Sequence, residues 1–406
     1  MYFKWIGRST QIIMKIVIAT DAYYPQIIGS SYAVYNLAQG LKEVGHNVTV
    51  FAPTAYGRNH NEKIGNLEVD RFIALPIPWQ QDIRTALTPI SVLERLRRIK
   101  PDVLHIHHPF LIGRSALTGA RLLHIPTVIT NHLLPESFLM FLPKQGTLNR
   151  YEGNLKFTWH FVVGFCNKAC FVTSPTQKAV SLLKEHGLKV KAKVISNGIE
   201  LNRFDPHRDG EYLRQRFSIP QEPVVLYTGR LSEEKRVDIL IKAIPYVLRN
   251  IKAHFVITGD GPLREALRLL AKKYKVEKFI TFTGFLNHDD YPDIYTIADL
   301  FVMPSLCELQ SISTLEALAS GLPVVAARKY ALPELVHPGE NGFLFKPGDS
   351  KDLADKIVKV LSNSDLKERM RRKSLEVVKF HSLQRIVEEY EKVYSNVKYG
   401  CELQER

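Results

Sequence analysis

The strongest constraint on the fold is an alternation, kept along most of the chain, of short apolar β-branched runs with longer stretches of helical periodicity. KIVIAT (15–20), NVTVFAP (47–53), DVLHIHH (102–108), TVITNH (127–132), KACFVTS (168–174) and AKVISNG (192–198) make one series. VVLYTGR (224–230), AHFVITGDG (253–261), FITFTGF (279–285), LFVMPS (300–305) and PVVAA (323–327) make a second. Runs this apolar read as strands covered on both faces, the condition of a parallel sheet. Helical patterns lie between them. Ala33, Val34, Leu37, Leu41 and Val44 share one face of a segment over 31–45 that Gly45 ends. Leu148, Tyr151, Leu155, Trp159, Val162, Val163 and Cys166 recur at helical spacing over 148–166. Segment 91–99 opens on Ser91-x-x-Glu94, the pattern of a capping box. Two such series predict an α/β fold of two doubly wound, Rossmann-like domains in tandem. A chain of 406 residues has room for two cores. The expected division is 14–205, 206–385 and a C-terminal helical segment over 386–406. The ligand is expected in a cleft between the two domains, beyond the carboxyl ends of the strands.

Composition narrows the class of partner. The 45% apolar and 24% charged content is that of a soluble globular chain. No apolar run approaches the ~18 residues that span a bilayer. Lys15 interrupts the N-terminal apolar stretch, so residues 1–13 read as an extension rather than a signal peptide. Four cysteines give neither a disulfide framework nor paired zinc spacing, which suits a reducing cytoplasm. The net charge of +14 is uneven, because residues 1–200 hold 23 Lys and Arg against 12 Asp and Glu. Such a field attracts acidic partners. No nucleic-acid module is recognisable, so lipid headgroups or an anionic substrate are expected and nucleic acid is not.

Three loops carry chemistry. In DAYYPQIIGSS (21–31), Gly29 lets a ligand approach a helix N-terminus, although the G-x-G-x-x-G of a dinucleotide site is lacking. In GRLSEEKR (229–236), Arg230 and Lys235 stand where a diphosphate would be held; a solvated loop paired through Glu233 and Glu234 is the plainer alternative. In CELQSISTLEALASGLPVVAA (307–327), Glu308 lies in a loop and Glu316 on a helix expected to start near Ser311. Amides at that helix start can receive phosphate oxygens, and two carboxylates can accept sugar and ribose hydroxyls. A capped helix with a surface glutamate is the plainer alternative there.

Taken in order, these motifs resemble the glycosyltransferases of the GT-B fold, family four, over about residues 15–395. SNGIELNRF (196–204), GRLSEEKR, TGDGP (258–262) and the E-x7-E of Glu308 and Glu316 carry the resemblance, with GHNVTVFAP (45–53) and PDVLHIH (101–107) upstream. It implies that Arg230 and Lys235 hold the donor diphosphate, that Glu308 binds the transferred sugar and Glu316 the ribose. It also implies that His132 approaches the sugar, that Gly29 lends a backbone contact near the phosphate, and that Ser311 lies beside it. His105, His107 and His108 read as structural and not as a metal site. The resemblance further implies retention of anomeric configuration and a C-terminal helix packed back on the first domain. Arg236 stands where the family has Gly, and Glu308-Leu309-Gln310-Ser311 where it has E-G-F-G. The E-x-Q form is similar to enzymes that glucosylate diacylglycerol.

These readings predict a metal-independent transferase with no cofactor, moving glucose from UDP-glucose to a lipid hydroxyl such as diacylglycerol. A soluble or lipid-phosphate acceptor with a GDP-sugar, a nucleotide-sugar epimerase and a non-catalytic sugar-nucleotide-binding protein are the alternatives. NHLLPESFLMFLPKQGTLNR (131–150) is apolar for a loop. Phe138 and Phe141, with Arg95 and Arg98 adding charge, are expected to meet the acceptor or an anionic membrane surface.

Overall fold

The structure, a computed structural model, describes residues 12–24, 29–54, 58–77, 80–86, 89–140 and 148–400. The chain divides into two compact units, Met1–Gly198 with Leu383–Arg406, and Ile199–Ser382. Among the described residues, unit 1 holds ten strands: β1 (Lys15–Ala19), β2 (Asn47–Pro53), β3 (His60–Ile64), β4 (Leu67–Phe72), β5 (Ala74–Ile77), β6 (Gln80–Ala86), β7 (Val103–Ile106), β8 (Thr127–Thr130), β9 (Phe171–Ser174) and β10 (Ala192–Val194). Eight form a sheet in the order β10-β9-β8-β7-β1-β2-β4-β3, and β5 pairs with β6 in a separate ribbon. Pairing in the large sheet is parallel except between β3 and β4. Unit 2 holds β11 (Val224–Thr228), β12 (His254–Thr258), β13 (Ile280–Gly284), β14 (Leu300–Met303), β15 (Val324–Ala327) and β16 (Gly342–Phe345). They form one parallel sheet in the order β13-β12-β11-β14-β15-β16.

The apolar runs are buried as their composition demands: β2 after its first residue, and β7, β8, β11, β12, β14 and β15 throughout. The short polar hairpin of β3 and β4 escaped the sequence reading, because β3 alternates half-buried with exposed residues at an edge. The helix Gly29–Glu43 buries Ala33, Val34, Leu37 and Leu41 and ends ahead of Gly45, whose φ is +98°. The helix expected over 148–166 spans Leu148–Cys166. The expected capping box at Ser91 is not one: the helix already runs from Pro89 to Ile99, and the Ser91 hydroxyl accepts from Asn59 Nδ2 at 3.1 Å.

The division between units also falls earlier than 205. Ile199 N–H donates to His381 O, and Phe204 is buried in the second core with its ring edge-on to Tyr295. Burial of that ring draws 199–205 into unit 2. The last helix, Leu383–Gly400, belongs to unit 1. Its Ile386, Val387, Tyr390, Val393, Tyr394 and Val397 enter the core that holds Ile16, Val34, Leu37, Val50 and Val103. Val387 lies against Gly40, where a Cβ would come within 2.6 Å of it.

Candidate active site

Each sheet has a switch point, where the strand order reverses and the loops beyond the strand ends part to leave a crevice. In unit 2 it lies between β11 and β14, the strands that precede the two motifs singled out above. The loop after β11 leaves through Gly229, at φ +146°, and Tyr227 Oη donates to Arg230 O at 2.9 Å. Gly229 N–H donates to Thr258 O, and Leu231 N–H to Asp260 O, so the TGDGP loop carries the GRL loop. The two run so close that a Cβ on Gly259 would stand 2.0 Å from Gly229 O. Glu234 O accepts from Leu306 N–H at 2.9 Å and from Ser305 Oγ, which ties the same loop to the segment after β14. That tie sets Lys235 Nζ 2.6 Å from Glu308 Oε1. Lys235 therefore pairs with Glu308 rather than within a solvated loop. Burial alone would lower its pKa, but the charges of Glu308 and Glu234 hold it above the usual lysine value. Glu308 Oε2 has no protein partner among the described residues.

Ser311 is the N-cap of the helix Ile312–Ala319; its Oγ accepts from Thr314 N–H at 3.3 Å and from Thr314 Oγ1 at 2.9 Å. The hydroxyl is thus spent on the helix it starts. One and a half turns on, Glu316 is buried, and its Oε2 accepts from Tyr291 Oη at 2.7 Å and Tyr295 Oη at 2.6 Å. Tyr295 also bonds Thr228 Oγ1 at the end of β11. Burial raises the Glu316 pKa, and the two phenols restrain the rise. Its Oε1 has no protein partner among the described residues. The sequence reading missed this pair of phenols; their i, i+4 spacing on the helix Asp290–Thr296 was the available signal.

In unit 1 the switch point lies between β1 and β7. Gly29 is the first residue of the helix Gly29–Glu43 and is exposed there. Asp21 follows the β1 strand end. It is fully buried and accepts from Ile112 N–H at 2.9 Å and Gly113 N–H at 3.3 Å, capping the helix Leu111–Leu122, whose own N-cap residue Phe110 supplies no side-chain bond. Burial pushes its carboxyl up to about 7 against the pull of those amides. His105 is saturated by Tyr394 Oη at 2.7 Å and Thr130 Oγ1 at 2.6 Å, and His108 by Thr20 Oγ1 at 2.9 Å and Ser30 Oγ at 3.1 Å. His132 follows β8, is partly buried, and shares a 2.8 Å hydrogen bond through Nε2 with His107 Nδ1. Burial first, then the neighbouring imidazoles, holds both well below the usual histidine range.

Two family models cover most of the chain, Glycosyltransferase Family 4 over residues 27–203 and Glycosyl transferases group 1 over 210–377. The chain is 30% identical over 355 residues to an alpha-monoglucosyldiacylglycerol synthase of Streptococcus pneumoniae, covering 86% of this chain and 78% of that one. The chain belongs to the family-four glycosyltransferases. A GDP-mannose-dependent alpha-mannosyltransferase of Corynebacterium glutamicum is 27% identical over 345 residues, 84% of this chain and 78% of that one. Among solved structures, Anabaena HepE in complex with UDP and glucose matches with a TM-score of 0.75 at 21% identity, over 94% of this chain and 99% of that one. That likeness shows the GT-B fold.

Within this glycosyltransferase Lys235 meets Glu308, and Ser311 and Glu316 lie on the helix that follows, beside the ends of β11 and β14 in unit 2, with Arg230 on the adjoining loop. It groups His132 with three further histidines in unit 1. The residues expected to meet lipid fare differently. Arg95 is committed to the buried Asp70, its Nε 2.6 Å from Oδ2, and so is not the free surface charge expected. Arg98 is exposed on the helix Pro89–Ile99. Phe138 lies on the short helix Pro135–Met140, its side chain outside the described residues, as is the whole of Phe141. No described helix is long and apolar enough to cross a membrane.

Proposed function

We propose that this glycosyltransferase moves glucose from UDP-glucose to a lipid hydroxyl such as that of diacylglycerol, with retention of configuration. The observation that carries the donor half is the Lys235–Glu308 pair beside the Ser311-capped helix start. A carboxylate with one oxygen bound to lysine and one open accepts a sugar hydroxyl in a fixed direction. The helix amides, Arg230 and Lys235 supply fixed positive charge for a departing diphosphate. In the reaction the bond from the sugar C1 to the phosphate oxygen breaks. The acceptor oxygen bonds C1 on the same face, and its proton passes to the leaving phosphate oxygen. Positive charge already built into the crevice does the work a divalent ion would do, so neither metal nor cofactor is required. Glu316, with Oε1 open, is the acceptor for the ribose diol.

Gln310 between the two glutamates, and the relative that acts on diacylglycerol, support the lipid acceptor. Peripheral membrane attachment is supported by the exposed Ile90, Arg97 and Arg98 on one helix. Likeness to the GDP-mannose-dependent enzyme supports a second reading, mannosyl transfer. A screen of radiolabelled UDP- and GDP-sugars against lipid and soluble acceptors decides between them. Glucolipid from UDP-glucose, undiminished by chelator, is expected; product only from GDP-mannose, or activity abolished by chelator, overturns the corresponding part. Glu308→Ala is expected to abolish transfer while UDP still binds. Inverted product in proton NMR would rule out same-face attack.

A further inference from the structure

The pair His107 and His132 has a property that neither the family roles nor the fold requires. The rings are stacked at 13° with centroids 5.1 Å apart, and Nδ1 of one bonds Nε2 of the other at 2.8 Å. His107 is 2% exposed, and its second nitrogen, Nε2, is buried without a partner. His132 Nδ1 has no protein partner among the described residues. A neutral imidazole carries one proton, so two arrangements satisfy the bond. In one, His132 Nε2–H donates to His107 Nδ1, and the His107 proton sits on Nε2 as a buried N–H with no acceptor. In the other, His107 Nδ1–H donates to His132 Nε2, and only a lone pair is left unmet on His107 Nε2. Orphaned buried N–H groups are rarer than under-used acceptors. The second arrangement also puts the His132 proton on Nδ1.

We propose that His107 is a positioning residue that fixes His132 as its Nδ1–H tautomer and so makes it a hydrogen-bond donor toward the transferred sugar. The catalytic half rests on the reading that His132 approaches the sugar. His105, itself held by Tyr394 and Thr130, packs on His107 with ring centroids 4.1 Å apart, which hinders a turn of the His107 ring that would exchange its nitrogens.

Nitrogen-15 NMR of histidine-labelled full-length enzyme reads the tautomer without substrate, with His132→Gln identifying the signal. The expected result is a neutral His132 protonated on Nδ1 at both pH 6 and pH 8. His107→Asn keeps an N–H donor at the position of Nδ1, whereas His107→Leu removes it. His107→Leu is expected to lose the fixed tautomer and to lower kcat by about 10- to 100-fold with KM for the nucleotide-sugar little changed. His107→Asn should restore both. A His132 protonated on Nε2 in the unmodified enzyme, or His107→Asn as impaired as His107→Leu, overturns the proposal. A tautomer lost in His107→Leu with kcat unchanged overturns the catalytic role of His132 and leaves the tautomer assignment standing.

Discussion

At the scale of single residues, each glutamate of the proposed donor site has one oxygen held by the protein and the other without a partner among the described residues. Tyr291 and Tyr295 hold Glu316 by a single oxygen, and a hydrogen bond to a charged group contributes about 1.5–3 kcal/mol. Tyr295→Phe is therefore expected to weaken UDP binding roughly tenfold, at ~1.4 kcal/mol per decade. It should also shrink the preference for UDP over 2′-deoxy-UDP, measured by calorimetry with both ligands. Asp21 gives a pH dependence of stability. Its folded pKa of about 7 lies above the ordinary 3.8, so the folded state binds the proton more tightly. The contribution is fully present below about pH 4 and is lost as pH rises through about 7, a change on the order of a few kcal/mol. Thermal melts from pH 4.5 to 7.5 should show that downward slope, and Asp21→Asn should flatten it. Arg236 shows what a departure from the family pattern costs. It sits at φ +51°, where the family's glycine is unstrained, a penalty of about 1–2 kcal/mol for another residue. A two-pronged ion pair with Asp238, at 2.9 and 3.2 Å, offsets part of it.

At the scale of elements, the caps of the helix starts, one of them proposed to meet the donor phosphates, were only partly readable. Ser311 was placed at a helix start from the sequence and is the cap. Replacing it with Ala is expected to destabilise unit 2 by about 1 kcal/mol, and with Gly by only a few tenths. Urea unfolding followed by circular dichroism separates the two. Ser91 carried an equally good capping pattern and is inside a helix, because Pro89 at the first position begins the helix earlier. The real cap of the helix Leu111–Leu122 is Asp21, some 91 residues upstream of the amide it meets. No local pattern announces a cap supplied from another strand end. The parallel strands were legible because burial on both faces forces a continuous apolar run. The β3 edge strand was not, because half of it faces water.

At the scale of the whole chain, the two units have separate cores, and unit 1 borrows its last helix from the far end of the sequence. Tyr394 Oη bonds His105, and Tyr390 Oη bonds Thr130 and Thr173, so that helix also anchors the strand ends that carry the histidines. Six buried side chains at ~1.5–3 kcal/mol each amount to roughly 10 kcal/mol of apolar burial. That is as much as a whole domain's net stability. A chain ending at Ser382 is therefore expected to lose the calorimetric transition of unit 1 and keep that of unit 2. Loss of both transitions together would show that the cores are not independent.

The sequence by itself determined the two α/β series, eleven of the described strands within a few residues, the family, and four of the residues that lie together in unit 2. Each is encoded by neighbours along the chain, through periodicity or a short motif. Tertiary structure decided which oxygen of Glu308 is free, which phenols hold Glu316, that Asp21 caps a distant helix, that Arg95 is spent on Asp70, and that His107 bonds His132. Those pairings join residues 21 to 91 positions apart. They exist only once the fold has brought separate elements together, and nothing local to either partner specifies the other.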